Sequence, residues 1–345
     1  MDKTVVFAVA GSGKTRKIVN RLEKGGRCLV LTYTENNHAD IRRRVIERFG
    51  CVPETVTIQT YFSFLNRFCY RPLLFMALRS QGVSFKMPPS FSARLPLNND
   101  KRYLDPGRRV YHCRMAKLLD VKGCIQELVS RIERYFDVVC VDEVQDFAGH
   151  DFNLLIQLSH AKVDMLLAGD FYQHTYDTSR DGTVNRNLHA DYTKYRLRFE
   201  EAGFYVDVTS LVNSHRCSKD VCDFIKFKLG IDIASAAGHR TQVTLVDSAA
   251  EADRLYSSRE TVKLFYQQHE LYGCHSNNWG GAKGLDHFHD VCVVLNKKSW
   301  IACQSGAMLW ASPITKNKLY VACSRARGNL YITSDLLFKR YRRVA

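Results

Sequence analysis

Apolar positions fall along this chain in short, β-branched runs separated by longer amphipathic stretches. The runs lie at 5–10, 27–33, 56–58, 138–141 and 165–168. Each leads through a polar or glycine-containing turn into apolar residues at helical spacing, the alternation that builds a parallel α/β sheet. Val138-Val139-Cys140-Val141 is continuously apolar, which predicts a strand covered on both faces. A second set of runs at 242–247, 290–296 and 329–333 predicts a second α/β body, with the chain crossing over around 203–207. The pattern breaks at 66–134. Pro72, Pro88, Pro89, Pro96 and Pro106 are five of the seven prolines, so the first part is predicted irregular. Residues 108–135 return to helical spacing through Val110, Met115, Leu118, Leu119, Ile125, Leu128, Val129 and Ile132. The stretch reads as an insertion into the first body. No internal repeat or low-complexity tract is present.

Composition narrows the class. A chain of 345 residues suggests about two domains. No apolar stretch approaches a membrane span. Met1-Asp2-Lys3 runs straight into the first strand without room for a signal peptide, so a cytoplasmic protein with no membrane partner is expected. The 12 cysteines are scattered without a C-x-x-C pair. Cys217 and Cys222 are near each other and Cys274-His275 are adjacent, but neither completes a zinc set, so buried reduced thiols are expected. The formal net charge of +15 changes the picture more. Arg42-Arg43-Arg44, Arg108-Arg109 and Lys339-Arg340-Tyr341-Arg342-Arg343 could each be a solvated face, but an excess this large points to a polyanionic partner, nucleic acid first.

The candidate chemistry begins at residues 8–15, Ala-Val-Ala-Gly-Ser-Gly-Lys-Thr. An apolar strand, a glycine-rich turn and Lys-Thr opening a helix form a phosphate-binding loop. Gly11 and Gly13 let the N–H groups from Ala10 through Ser12 converge on phosphate oxygens, and the helix beginning near Lys14 aims its N-terminus at the same anion. Lys14 would reach the β/γ-phosphates and Thr15 would hold Mg²⁺. Ala8 stands where the general pattern has its first glycine. The strand 138–141 ends in Asp142-Glu143, an acidic pair at the ligand edge of such a sheet. Asp142 can hold Mg²⁺ and Glu143 can orient and deprotonate the attacking water. After the next strand, Gln173 in Gly169-Asp170-Phe171-Tyr172-Gln173 could contact the γ-phosphate or its water.

In this order the segments resemble the UvrD/Rep-like branch of superfamily 1 DNA helicases, over most of the chain. Residues 8–15 look like motif I, Leu31-Thr32-Tyr33-Thr34 with 39–44 like motif Ia, and Thr60-Tyr61-Phe62-Ser63 like the next DNA-contacting motif. Residues 142–146 resemble motif II, 169–173 motif III, 211–217 with His215-Arg216 motif IV, Ala282-Lys283-Gly284-Leu285-Asp286 motif V, and 320–327 motif VI. The resemblance implies an α/β fold of two RecA-like P-loop domains with a small helical insertion: 1–205, carrying the insertion at about 66–134, and 206–345, with a short one at about 228–275. ATP with Mg²⁺ would lie between them. Arg216 and Arg325 would approach the γ-phosphate, and Gly284 and Asp286 would complete the nucleotide's surroundings. Lys14, Thr15, Asp142, Glu143, Gln173, Arg216 and Arg325 should then line one cleft. The expected activity is a DNA-dependent ATPase and helicase or translocase on single-stranded DNA, with 3′→5′ polarity. Tyr33, Phe62 and Tyr176 are candidates for base stacking and Thr32, Thr60 and Lys283 for backbone contacts; each aromatic taken singly fits core packing as well.

Some positions depart from that family. The glutamine segment that reads adenine ahead of motif I is not found before residue 8. His215 replaces the usual tyrosine, Phe62 a common histidine and Asp286 a common glutamate. The small insertions favour translocation or remodelling on single strands over processive unwinding. They also motivate an alternative, a nucleotide-gated ATPase subunit that switches or recruits a protein partner such as a nuclease in a DNA-processing or phage-defence complex. An RNA motor is a third reading.

Overall fold

The computed structural model describes residues 1–23, 25–175, 181–306 and 311–343. The chain divides into two units, Met1–Val6 with Thr15–Gly169 and Tyr176–Asp207, and Phe7–Lys14 with Asp170–Thr175 and Val208–Ala345. The fold is α/β, with two parallel sheets flanked by helices, as in two RecA-like domains.

The first sheet has six strands. These are β1 (Lys3–Phe7), β2 (Cys28–Thr32), β3 (Val56–Thr60), β6 (Val138–Asp142), β7 (Asp164–Gly169) and β8 (Tyr205–Asp207), in the order β3-β2-β6-β7-β1-β8. A small parallel pair, β4 (Gly82–Ser84) and β5 (Arg109–Tyr111), lies in the insertion. The helices are α1 (Lys14–Arg21), α2 (Glu35–Phe49), α3 (Tyr61–Phe64), α4 (Met115–Val121), α5 (Ile125–Tyr135), α6 (Gly149–Leu158) and α7 (Tyr192–Glu201). The expected runs are strands because they are apolar on both faces: all five residues of β2 are buried.

Three details differ from the sequence expectation. The first strand ends at Phe7, since Val9 and Ala10 already belong to the loop. Residues 108–135 are not one helix. Val110 lies in β5, paired in register with Val83 of β4, and two helices follow. Residues 65–75 form a wide helix, with the i→i+5 pattern, that contains Pro72. The stretch predicted irregular is therefore ordered at its start.

The second sheet contains β11 (Val243–Val246), β12 (Val262–Phe265), β13 (Ser276–Asn278), β14 (Val291–Leu295) and β15 (Leu330–Ser334), in the order β11-β15-β14-β12-β13, with every pair parallel. A short pair, β9 (Asn213–Ser214) and β10 (Ala234–Ser235), precedes it. The helices are α8 (Lys219–Leu229), α9 (Ala249–Ser257), α10 (Lys297–Gln304), α11 (Pro313–Cys323) and α12 (Asp335–Phe338). Strand alternation divides the core cleanly. Val262, Leu264, Val291 and Val293 pack with Val221, Ile225, Leu319 and Tyr320 on one face. Phe265, Cys292 and Val294 pack with Ala252, Leu255 and Phe338 on the other. Two of these strands, β11 and β12, lie within 228–275, so that stretch supplies part of the sheet itself.

Among the described residues, no helix is long and apolar enough to cross a membrane. Among the described residues no disulfide forms, and ten of the twelve cysteines are buried.

Candidate nucleotide site

In the first unit, the site is built where β6 ends and α1 begins. Thr15 donates from Oγ1 to Asp142 Oδ2 at 3.2 Å. Two oxygens bound side by side to octahedral Mg²⁺ lie roughly 3.0 Å apart, so this hydroxyl and carboxylate fit adjacent positions on that ion. Among the described residues no cluster of three or more His, Cys, Asp or Glu could hold a metal by itself. Such a sparse donor set suits Mg²⁺, which keeps waters and takes its other oxygens from phosphate. Glu143 follows with a left-handed backbone, φ +56° and ψ +49°. Its N–H donates to Asp142 Oδ1 at 3.0 Å, and Gln145 Nε2 donates to Glu143 Oε2. Gly169, at the end of β7, leaves room for this turn, because a Cβ there would stand 2.5 Å from Gln145 Oε1 and 2.7 Å from Val144 Cγ1.

In the second unit, the phosphate loop packs on the segment that carries Arg216. Gly11 and Gly13 have φ of +73° and +96°. A Cβ on Gly11 would come within 2.6 Å of Arg216 Cβ and 2.9 Å of Ser214 Oγ, so glycine is required there for close approach as well as for backbone freedom. Val9 N–H donates to Leu211 O and His215 N–H donates to Gly11 O, both at 3.0 Å. Ser12 Oγ turns inward to Val9 O at 2.8 Å, and Lys14 is buried.

Arg216 and Arg325 share one carboxylate. Arg216 donates to Asp286 Oδ1 at 2.5 Å and to Ser324 O at 3.1 Å; Arg325 donates to the same Asp286 oxygen at 3.2 Å and to Leu285 O at 3.4 Å. Burial alone would push the Asp286 carboxyl up, but the two guanidinium groups more than offset it and hold it below its ordinary value. Gly284, with φ +78°, precedes Leu285 in this turn.

A second tie joins the loop to α11. Ala10 N–H donates to Tyr320 Oη at 2.8 Å, Tyr320 donates to Asp170 Oδ2 at 2.9 Å, and Gln173 Nε2 donates to the same oxygen at 2.8 Å. Burial, then the neighbouring Asp170, pushes the Tyr320 hydroxyl well above its ordinary value, so it stays a donor. Sequence reasoning gave neither Asp170 nor Tyr320 a role. The available signal was a tyrosine inside the apolar run 319–323, which needs a polar partner when buried.

The candidates for strand contact are placed unevenly. Thr32 is wholly buried and donates to Thr34 O at 3.2 Å. Thr60 caps α3, accepting from Ser63 N–H and donating to Ser63 Oγ. Tyr33 stacks on Tyr61 with centroids 6.0 Å apart and meets Phe147 edge-on. Phe62 is half-buried against the exposed ring of Phe85 at 5.3 Å. Lys283 is half-buried beside Gly284, and Tyr176 lies outside the described residues. Under this aromatic group Tyr61 donates to Asp151, which burial pushes up to about 7.

The parallel α/β sheets carry a phosphate loop, Thr15 bonded to Asp142, Glu143 beside it, and the arginine pair on Asp286, the segments of a superfamily 1 helicase core. The chain belongs to the viral superfamily 1 RNA helicase core domain family, whose model matches residues 109–334. Among solved structures it is similar to the arterivirus nonstructural protein 10 helicase in complex with DNA, at 15% identity and TM-score 0.50, over 97% of this chain and 63% of that one. It is also similar to the PRRSV helicase, at 13% identity and TM-score 0.49, over 96% of this chain and 52% of that one. The chain thus spans between half and two thirds of these helicases. No curated protein matches it.

Proposed function

We propose that the chain is a nucleoside-triphosphate-driven motor that moves along a single nucleic-acid strand, with the ATP site formed by the residues above. The observation that carries this reading is the shared carboxylate: Asp286 holds Arg216 and Arg325 together, and Arg216 lies against Gly11 of the phosphate loop. Bound ATP would bring its phosphates to the Ala10–Ser12 amides, Ala10 exchanging Tyr320 for phosphate, and to Lys14, while Mg²⁺ held by Thr15 and Asp142 would supply charge neutralisation. Glu143, oriented by Gln145, accepts the proton of the attacking water. Arg216 and Arg325 exchange Asp286 for phosphate oxygens and stabilise the transferring group, which a guanidinium does without risk of deprotonation. Gln173, tied through Asp170 and Tyr320 to Ala10, reports whether phosphate is present.

On this reading 1–205 and 206–345 are the two moving domains. The strand runs past Tyr33, Phe62, Tyr176 and Lys283, with Thr32 and Thr60 shaping the backbone beneath. Motif order favours the UvrD/Rep-like form of the motor, acting on DNA with 3′→5′ polarity, whereas family membership supports RNA as the strand. A cytoplasmic setting belongs to the same reading, with ten of the twelve cysteines buried as thiols.

The test is hydrolysis with no strand, with single-stranded DNA and with matched RNA, beside unwinding of 3′- and 5′-tailed duplexes. Strong stimulation by one strand, abolished by Lys14→Ala, is the expected result. An active preparation whose rate ignores both strands would overturn the motor reading, and a 5′-tail requirement would overturn the polarity.

A further inference from the structure

The second unit carries a cavity of about 450 Å³ lined by His215, Arg216, His239, Arg240, Thr241, His289, Arg327, Gly328 and Asn329. Its chemistry is one-sided, with three arginines, three histidines and two neutral polar side chains, and no carboxylate in the wall. Arg216 pairs with Asp286, which it shares with Arg325. Arg240 and Arg327 have no carboxylate within ion-pair distance among the described residues, and both are exposed. Of the acids beside the cavity, Asp286 is shared by Arg216 and Arg325, and Asp290 is committed elsewhere. It accepts from Asn329 N–H at 2.8 Å and pairs with His289 Nδ1 at 2.9 Å, which ties the 327–329 turn to the wall. Gly328 makes that tie possible, since a Cβ there would fall 2.1 Å from Asp290 Oδ1 and 2.4 Å from His289 Nδ1. Across the cavity, the Thr241 and Ser218 hydroxyls bond at 2.5 Å and steady the strand start that presents Arg240.

Pockets for neutral ligands are mostly apolar with a few placed polar groups. This one reverses the proportion, and two lining guanidinium groups outside any ion pair among the described residues are the donor set that phosphate oxygens take up. We propose that the cavity is a second phosphate-binding site, separate from the phosphate loop, in which Arg240 and Arg327 hold the anion and Arg216 forms the border with the nucleotide site. The phosphate comes from the nucleotide or from the end of a strand.

Pyrophosphate is the probe, titrated calorimetrically into the full chain carrying Lys14→Ala so that the phosphate loop is weakened. One saturable site is expected to remain. Adding Arg240→Ala with Arg327→Ala should weaken it at least tenfold at an unchanged melting midpoint; Arg240→Lys with Arg327→Lys, which keeps the charge, should weaken it less. Displacement by a 5′-phosphorylated decanucleotide but not its 5′-hydroxyl twin assigns the phosphate to a strand end. Displacement by ATP alone assigns it to the nucleotide. Absence of a saturable site in Lys14→Ala, or binding indifferent to the double alanine variant, overturns the proposal. Neither result depends on whether wild-type hydrolysis responds to a strand, so failure of the motor reading is seen separately.

Discussion

Glu143 occupies a left-handed backbone region that costs a non-glycine residue about 1 kcal/mol. The turn keeps that conformation because Asp142, the strand's last residue, takes the Glu143 N–H, and Gln145 takes its carboxylate. The proposed chemistry explains why glutamate rather than glycine stands there. Glu143→Gln should therefore retain nucleotide binding and lose hydrolysis by 10²-fold or more, the scale of a missing general base. Glu143→Gly and Glu143→Ala should both be inactive, yet the glycine variant should be the more stable by roughly 1 kcal/mol, measured by denaturant unfolding. If alanine proved equally stable, the strain would not be real. Asp151 gives a second residue-scale prediction. Burial raises its carboxyl to about 7 in the folded chain against an ordinary value near 4, and the hydrogen bond from Tyr61 only partly opposes this. The folded state thus holds the proton more tightly, so stability falls as pH rises from about 4 to 7. Asp151→Asn should flatten that part of the pH–stability curve. An unchanged slope would mean Asp151 does not carry it.

At the level of elements, the sheet strands were legible wherever both faces are apolar, as in 138–141, and invisible where one residue breaks the run. β12 reads Val-Lys-Leu-Phe, and Lys263 disguises it although the strand lies inside the second sheet. The side chain is wholly buried. Its ammonium donates to Ser258 O at 2.6 Å and Thr261 O at 3.0 Å, which closes the turn before the strand. Lys263→Met keeps the apolar stem but leaves both carbonyls without this donor, so a cost on the order of 1–3 kcal/mol is expected, with the unfolding slope unchanged. A methionine variant as stable as the parent would show that the carbonyls find other donors. Val110 misled for a related reason. Its helical spacing is local, whereas its β4 partner lies 27 positions away in register, Val83 against Val110. The candidate site divides the same way. The phosphate loop and Asp142-Glu143 were legible because each is contiguous. The ties that organise them, Tyr320 to Asp170 and Arg216 to Asp286, join residues 150 and 70 positions apart, which no local pattern reveals.

On the scale of the whole molecule, the net charge of +15 acts as a field rather than through any single contact. Several arginines that contribute to it are paired, as in Arg43 and Arg44 with Asp40 or Arg340 with Asp253, so the excess rests on the cations left over. A motor on a single strand should use that excess for strand affinity and not for the phosphoryl transfer itself, where Arg216 and Arg325 are held at short range by Asp286. The two contributions separate with salt. Each phosphate neutralised on a single strand contributes roughly −0.7 to the slope of log affinity against log salt. About four such contacts would weaken strand binding roughly fifty-fold over a fourfold rise in salt. Strand-stimulated hydrolysis should accordingly need much more strand for half-maximal rate at high salt, while the rate at saturating strand stays within about twofold, because partly buried pairs at contact distance are screened far less than exposed charges. A saturating rate that collapsed in parallel with affinity would place the screened charges in the chemistry. A half-maximal strand concentration indifferent to salt would remove the phosphate backbone as what the surplus charge recognises.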